Sequence, residues 1–114
     1  MRGRVWRRGD IVSMSFDPTL GHEQQGHRPA MVLTQEAFNK LGMIGVCPIT
    51  QGGQAMRNAG MAVSLMGAGL QTAGVVLVHQ FRMIDPKPRN VKLIEQAPDH
   101  VTEEARARVA ALLD

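Results

Sequence analysis

The chain has 114 residues, of which 44% are hydrophobic and 20% are charged. This length predicts a single domain over residues 9–114, preceded by a basic N-terminal arm over residues 1–8. The composition excludes an intrinsically disordered chain. No apolar run approaches the roughly 18 residues of a membrane-spanning helix. The basic arm does not lead into an apolar stretch, so we expect neither a membrane anchor nor a secretory signal.

Charge is unevenly distributed along the chain. Residues 1–94 contain eleven Lys and Arg against five Asp and Glu, whereas residues 95–114 contain two against five. Ten of the thirteen cations are Arg, the side chain suited to bidentate contact with phosphate. The basic body favours a polyanionic partner such as nucleic acid. The absence of Tyr argues against a platform of stacked bases.

Short apolar runs separated by Gly, Pro and polar clusters predict a small β-barrel or sandwich. The predicted strands cover residues 11–16, 30–34, 43–50, 61–65, 74–78 and 91–94. One or two helical turns are expected over 35–40, and polar loops over 20–28 and 51–59. Pro48 predicts an edge or a bulge in its strand. The single Cys47, inside an apolar run, fits a reducing, cytoplasmic compartment.

The C-terminus has a helical pattern. Apolar residues from Val101 to Leu113 recur on one face of a helix, and charged residues avoid that face. Asp99 or Thr102 is expected to cap its N-terminus. The predicted fold is therefore mainly β with one C-terminal amphipathic helix covering the sheet.

Three polar segments, at residues 21–29, 48–53 and 78–82, lie at or just beyond predicted strand ends. They contain His, Glu, Arg and Thr, which together suit RNA transesterification. His and Glu can move protons, while Arg and Thr can stabilise a phosphorane. No metal is required, because the attacking 2′-OH belongs to the substrate. Structural alternatives stay open: Glu23 as a solvated acid, Arg28 paired with Asp17 or Glu23, and Thr50 as a strand-end hydroxyl.

Metal and cofactor chemistry has no support in the spacing of potential ligands. Histidines at positions 22, 27, 79 and 100, together with Cys47, match no zinc-binding pattern. The Gly52-Gly53 pair lacks the Gly-Lys-Ser/Thr of a phosphate-binding loop. We expect no metal and no cofactor.

The polar segments and their flanking strands resemble the MazF/PemK toxin family, including its Kid and ChpB-like branches. The matching segments are RGDIV at 8–12, FDPT at 16–19, GHEQQGHRPA at 21–30, FN at 38–39, CPITQGG at 47–53 and GVVLVHQ at 74–80. The ChpB-like branch is nearest, through AFNKLGM at 37–43 and PITQGG at 48–53. The resemblance runs from about residue 8 to the C-terminus.

This resemblance implies an SH3-like barrel of the MazF/PemK/CcdB type that forms a homodimer. It implies the toxin of a type II toxin–antitoxin system, an mRNA interferase that cuts single-stranded RNA at short motifs. The expected products carry 2′,3′-cyclic phosphate and 5′-hydroxyl ends. The expected partners are single-stranded mRNA and a cognate antitoxin with a flexible, acidic and apolar tail.

The resemblance also implies roles for individual residues. Arg28 and Thr50 match the principal catalytic pair of the family. Arg28 would stabilise the phosphorane or protonate the leaving oxygen, and Thr50 would hold the scissile phosphate. Glu23 matches a polar residue of the active-site loop, and His22 a supporting histidine. The expected RNA-binding residues are Gln25, His27, Gln51, Gly52, Gly53, Arg57 and Gln80.

One departure from the family concerns the strand end at residues 77–79. The Kid branch places an Arg and an acid where this chain has Leu77 and His79. The identity of the general base therefore stays open, and His79 is either catalytic or a neutral imidazole bonded to a backbone carbonyl. The departure also leaves an alternative function, a non-catalytic SH3-like module that binds protein or nucleic acid. A toxin acting on DNA or gyrase has no support in the loop at 21–30.

Overall fold

The structure, a computed structural model, describes residues 4–16, 27–52 and 57–114. Its strands and helices are β1 (Asp10–Ser15), β2 (His27–Val32), α1 (Glu36–Asn39), β3 (Ile44–Thr50), β4 (Ala62–Ser64), β5 (Val75–Leu77), β6 (Arg82–Ile84), β7 (Lys92–Gln96) and α2 (Asp99–Ala111). A 3₁₀ turn, Val78–Gln80, joins β5 to β6. The predicted class, mainly β with a C-terminal helix, is confirmed.

The strands form one antiparallel sheet in the order β4-β5-β3-β2-β1-β7, and β6 also pairs with β3. Within the described ranges no pairing joins β4 to β7, so the predicted barrel is an open one. The gap is bridged by the loop that precedes β5. Its residue Thr72 donates to the carboxylate of Glu95 on β7.

Apolar side chains are buried on both faces of the central strands. In β2, Ala30 and Val32 face one core, whereas Met31 faces the other. The helix-side core lies under α2 and contains Ile11, Met31, Leu33, Cys47, Ile49, Val63, Leu65, Val76, Val78, Ala97, Val101 and Ala105. The second core contains Val12, Met14, Ala30, Val32, Ile44, Val46 and Ile84. Strands buried on both faces give continuous apolar runs, which is why these segments were predictable.

Burial also determines the chemistry of the single thiol. Cys47 lies in the helix-side core, fully shielded from solvent. Burial raises the pKa of the Cys47 thiol to about 12. A thiol of this kind stays protonated at neutral pH and behaves as a small apolar side chain.

The strand prediction differs from the structure in two places. Strand β6 was not predicted, because it is three residues long and exposes Arg82 and Met83. Pro48 lies in a central strand, and not at an edge or bulge as predicted. Strand β3 pairs with β6 up to Val46 and then with β5 from Ile49 onward. Pro48 therefore lies in a break between two partner strands, where its missing N–H is tolerated.

The C-terminal helix begins at Asp99 as predicted, but the predicted cap, Asp99 or Thr102, is wrong. Pro98 occupies the N-cap position of α2, Asp99 is the first helical residue, and no side chain caps the helix. Thr102 is buried, and its hydroxyl has no hydrogen-bond partner among the described residues. The predicted loop at 20–28 also ends earlier, because β2 begins at His27.

Asn39, at the end of α1, links three segments through its buried amide. Its Nδ2 donates to the carbonyls of Trp6 at 2.7 Å and Thr34 at 2.9 Å. Its Oδ1 accepts from the Thr34 hydroxyl at 2.6 Å. That hydroxyl also accepts from the backbone N–H of Gly45 at 2.8 Å. Asn39 thus connects the N-terminal segment, the end of β2 and the start of β3.

We expect Asn39→Ala to lower the free energy of unfolding by about 3 kcal/mol, because it leaves buried donors and acceptors without partners. Urea denaturation monitored by circular dichroism measures this change. The exposed Gln35, which makes no capping bond, provides the control. Gln35→Ala should change stability by less than about 0.5 kcal/mol. A loss below about 1 kcal/mol for Asn39→Ala would show that the amide is not a structural link.

Candidate functional site

The pairing of β2 with β3 brings the two principal predicted site residues together. The register pairs Ala30 with Pro48 and Val32 with Val46. Continued by two residues, the same antiparallel register places Arg28 opposite Thr50. Since side chains alternate along a strand, both residues project on the face that carries the second core.

Arg28 and Thr50 line one groove of about 510 Å³. The full lining is Phe16, Arg28, Pro48, Ile49, Thr50, Leu77, Gln80 and Arg82. We call this cavity the Arg28–Thr50 groove. Its floor is mainly apolar, and its polar groups are two guanidinium groups, a hydroxyl and an amide. Such a floor with a few polar groups is typical of ligand sites.

Both charged residues of the Arg28–Thr50 groove are cations. Within the described part of the chain, neither Arg28 nor Arg82 forms an ion pair with a carboxylate. The Arg82 guanidinium lies 5.9 Å from the centre of the Phe16 ring. Arg89 donates to the carbonyl oxygens of Ser15 and Phe16 at 3.0 and 2.9 Å. Among the described residues the groove therefore presents two cations without a carboxylate partner, beside an aromatic ring that is tethered through its backbone.

Gly74 determines how closely β5 approaches Thr50. Its φ is 121°, and a Cβ at this position would lie 2.4 Å from the carbonyl oxygen of Thr50. Only glycine accommodates both constraints. The half-buried Thr50 donates its hydroxyl to the carbonyl of Gln51 at 3.2 Å, a long hydrogen bond that a ligand can replace. The hydroxyl is thus held at the strand end, at the mouth of the groove.

The other predicted residues are distributed around the groove. Gln80 lines it, whereas His27 lies 3.1 Å from the Ser13 hydroxyl and is not among the lining residues. His79 is exposed in the 3₁₀ turn, with Nε2 3.5 Å from the Gln80 amide nitrogen. Among described residues it makes no hydrogen bond to a backbone carbonyl. The calls that fall outside the described residues are His22, Glu23, Gln25, Gly53 and the pairing of Arg28 with Asp17 or Glu23.

A second cavity, of about 370 Å³, begins where Thr50 leads into the loop after β3. Two predicted RNA-binding residues, Gly52 and Arg57, line one side of it. The end of β4, the following loop and the start of β5 supply the remainder: Ser64, Leu65, Met66, Gly67, Gly69, Leu70, Thr72, Ala73, Gly74 and Val75. Gln51 is exposed. In sequence it lies between Thr50, which lines the Arg28–Thr50 groove, and Gly52, which lines the second cavity.

Five groove residues were not predicted as site residues: Phe16, Pro48, Ile49, Leu77 and Arg82. Arg82 belongs to the polar segment at 78–82, so a signal was present in the sequence. The face of the sheet on which Arg82 lies was not predictable, because it follows from the pairing of Arg82 with Val46, and strand β6 was not predicted. Phe16 was predicted only as the last residue of the strand over residues 11–16.

Within residues 4–16, 27–52 and 57–114, no three His, Cys, Asp or Glu side chains are grouped as metal ligands would be. In the same ranges no helix has both the length and the apolarity needed to cross a bilayer.

Comparison with known proteins gives matches over nearly the whole chain. The family of PemK-like, MazF-like toxins of type II toxin–antitoxin systems matches residues 7–113. The chain is 52% identical over 110 residues to the endoribonuclease toxin ChpB of Escherichia coli strain K12, covering 96% of this chain and 95% of that protein. It is 46% identical over 107 residues to the endoribonuclease PemK of Escherichia coli, with coverages of 93% and 80%.

Among solved structures, a MazE–MazF crystal structure from Deinococcus radiodurans superposes with a TM-score of 0.82. It is 32% identical and covers 96% of this chain and 97% of its own. The family match and the two relatives confirm the resemblance inferred from the segments at 21–30, 47–53 and 74–80. The chain belongs to the PemK-like, MazF-like toxin family of type II toxin–antitoxin systems.

Proposed function

We propose that the protein is an endoribonuclease toxin that cleaves single-stranded mRNA without a metal ion. The observation that carries this proposal is the Arg28–Thr50 groove, where a guanidinium and a hydroxyl lie opposite each other on adjacent strands. The relatives named endoribonucleases, ChpB and PemK, support the reaction class. Cleavage of mRNA would inhibit translation and growth, as a toxin requires.

The proposed reaction is an attack of the substrate's 2′-oxygen on the adjacent phosphorus. A base accepts the 2′-hydroxyl proton, the new P–O bond forms, and the bond to the 5′-oxygen breaks as that oxygen gains a proton. The products are a 2′,3′-cyclic phosphate and a 5′-hydroxyl. The phosphorane carries more negative charge than the starting diester, so the cations that line the groove favour it over the ground state.

The groove residues divide this task. Arg28 contacts the phosphorane or protonates the leaving oxygen, and Thr50 donates its hydroxyl to the scissile phosphate. Arg82 adds a second positive charge to the lining of the groove, and Gln80 supplies an amide to the RNA. We propose that the base that accepts the 2′-hydroxyl proton is Glu23, His22 or His79. Substitution of these residues distinguishes them.

We also propose the partners and setting that the family membership suggests. The protein acts as a homodimer in the cytoplasm, and single-stranded RNA lies in the Arg28–Thr50 groove. A cognate antitoxin is a partner, a proposal that MazE–MazF complexes among the structural relatives support. We propose that it binds the same face as the RNA. An acidic and apolar tail would match both the cations of the groove and its apolar floor.

We expect antitoxin binding to weaken as salt is added, because pairing between the tail and Arg28 or Arg82 is screened. Isothermal titration calorimetry at several salt concentrations measures this dependence. Affinity that does not change with salt, or that survives Arg28→Ala and Arg82→Ala together, would place the antitoxin elsewhere.

Arg28→Ala should reduce RNA cleavage by roughly 10²–10³ in rate, because a donor to the phosphorane is lost. The assay follows a labelled single-stranded RNA in EDTA, in which the wild-type protein produces discrete fragments. Arg106→Ala is the matched control, since it removes one guanidinium from the exposed face of α2. It should cleave like the wild type.

Four results would contradict the proposal. Wild-type protein that cuts no RNA favours the non-catalytic binding module, and dependence on Mg²⁺ favours a hydrolytic nuclease. Cleavage that continues at a single 2′-deoxy nucleotide 5′ to the cut excludes attack by the 2′-oxygen. Arg28→Ala with wild-type turnover would refute the assignment of the site.

His79→Asn tests whether the side chain that precedes the groove residue Gln80 takes part in proton transfer. Asn keeps a hydrogen-bonding group but cannot exchange a proton near neutral pH. If His79 transfers a proton, the rate should fall at least about tenfold, and the limb of the pH–rate profile due to His should disappear. An unchanged rate and profile would assign the proton transfer to Glu23, His22 or Arg28.

A further inference from the structure

Glu95, on the edge strand β7, holds the loop that lines the second cavity. Its Oε1 accepts from the backbone N–H of Gln71 at 3.0 Å. Its Oε2 accepts from the backbone N–H of Thr72 at 2.8 Å and from the Thr72 hydroxyl at 2.7 Å. One carboxylate therefore binds two consecutive residues of the loop with both of its oxygens.

The loop needs such an anchor because little else in its sequence defines its position. Gly67 and Gly69 have φ values of 78° and 77°, and a Cβ at either position would meet no atom within 4 Å. Ala68 and Leu70 pack only partly against the helix-side core. Other fixed points lie towards the ends of the loop. The Leu65 N–H donates to the Gly74 carbonyl at 3.0 Å, the Met66 N–H donates to the Ser64 hydroxyl at 3.0 Å, and Gly74 lies against the carbonyl of Thr50. Between Leu70 and Gly74, the hydrogen bonds to Glu95 are the main restraint shown for the loop.

The electrostatic state of Glu95 matches this role. Burial raises the pKa of its carboxyl, but the bonds from the Thr72 hydroxyl and from the backbone of Gln71 and Thr72 together lower the pKa below its ordinary value. The carboxylate is therefore charged at neutral pH and accepts from all three donors. These bonds are charge-assisted, which makes them stronger than bonds between neutral groups.

The same loop forms one wall of the cavity beside the Arg28–Thr50 groove. Thr72, held by Glu95, lines this cavity together with Gly52 and Arg57. The volume of about 370 Å³ lies within the roughly 300–1,000 Å³ of small-molecule sites and admits a nucleobase. A base in the cavity would belong to a nucleotide next to the phosphate held at Thr50.

We propose that Glu95 is a positioning residue that determines RNA sequence specificity by fixing the loop between β4 and β5 against this cavity. The proposal rests on the proposed endoribonuclease function. Glu95 itself does not line either cavity, so it acts through the Gln71 and Thr72 backbone and not by contact with RNA. Thr72 and Arg57 are the side chains that would face the base.

Glu95→Gln is the direct test, because it preserves size but replaces one acceptor oxygen with a donor that faces N–H groups. Cleavage of a mixed-sequence RNA is followed by sequencing of the new 5′-hydroxyl ends. We expect the ratio of kcat/KM between the preferred site and the next-best sites to fall about tenfold. At the preferred site the loss should appear in KM, with kcat nearly unchanged. Thr72→Val, which removes only the hydroxyl donor, should shift the ratio in the same direction by less.

Glu103→Gln is the matched control, since it neutralises an exposed carboxylate of α2 that pairs with Arg106. It should leave the cleavage profile as in the wild type. A Glu95→Gln profile identical to wild type, or an equal loss of kcat at every site, would overturn the specificity role.

Amide hydrogen exchange separates this inference from the proposed function, because it needs no activity. The Gln71 and Thr72 amides should exchange at least about tenfold faster in Glu95→Gln than in wild type. Unchanged exchange would refute the anchor itself. If exchange is faster but the wild-type protein cuts no RNA, Glu95 does hold the loop. The specificity role and the proposed function would then both be overturned.

Discussion

The register between β2 and β3 is the constraint on which the candidate site depends. Side chains alternate along a strand, so a slip of one residue would turn Arg28 or Thr50 to the opposite face of the sheet. The two cores prevent that slip. Ala30 and Val32 on one face and Met31 on the other would all exchange environments, and both faces are already filled. Packing in the middle of the strands therefore specifies which polar side chains meet at their ends.

The groove exists because apolar packing stops before the strands do. Beyond Ala30 and Pro48 the same alternation continues with Arg28 and Thr50, which no longer have a core to enter. Strand β6 then adds Arg82, whose guanidinium lies over Phe16. Two cations without carboxylate partners among the described residues cost little where solvent screens them. When a phosphodiester lies in the groove, the same charges attract it, because the partly apolar floor reduces the screening of this attraction by solvent.

The open sheet gives the loop between β4 and β5 its importance. Since β4 and β7 do not pair in the described part, the Gln71 and Thr72 amides of the loop are satisfied by a side chain, Glu95, and not by a strand ladder. A carboxylate accepts from several donors at once, whereas a ladder would impose extended geometry on the loop. The loop can thus curve around a cavity while its backbone remains hydrogen-bonded.

Taken alone, the sequence determined the strands with buried faces, the C-terminal helix, and the polar segments that contain Arg28 and Thr50. Those features follow from local periodicity and from short motifs, which a single chain displays directly. The tertiary structure alone decided that Arg82 and Phe16 share the groove, that Pro48 lies in a ladder break, and that Glu95 reaches Thr72. Each of these depends on pairing between segments distant in sequence, and on the face that pairing selects. Local patterns carry no information on strand partners, so the groove's second cation and the anchor of its neighbouring loop became visible only in the folded chain.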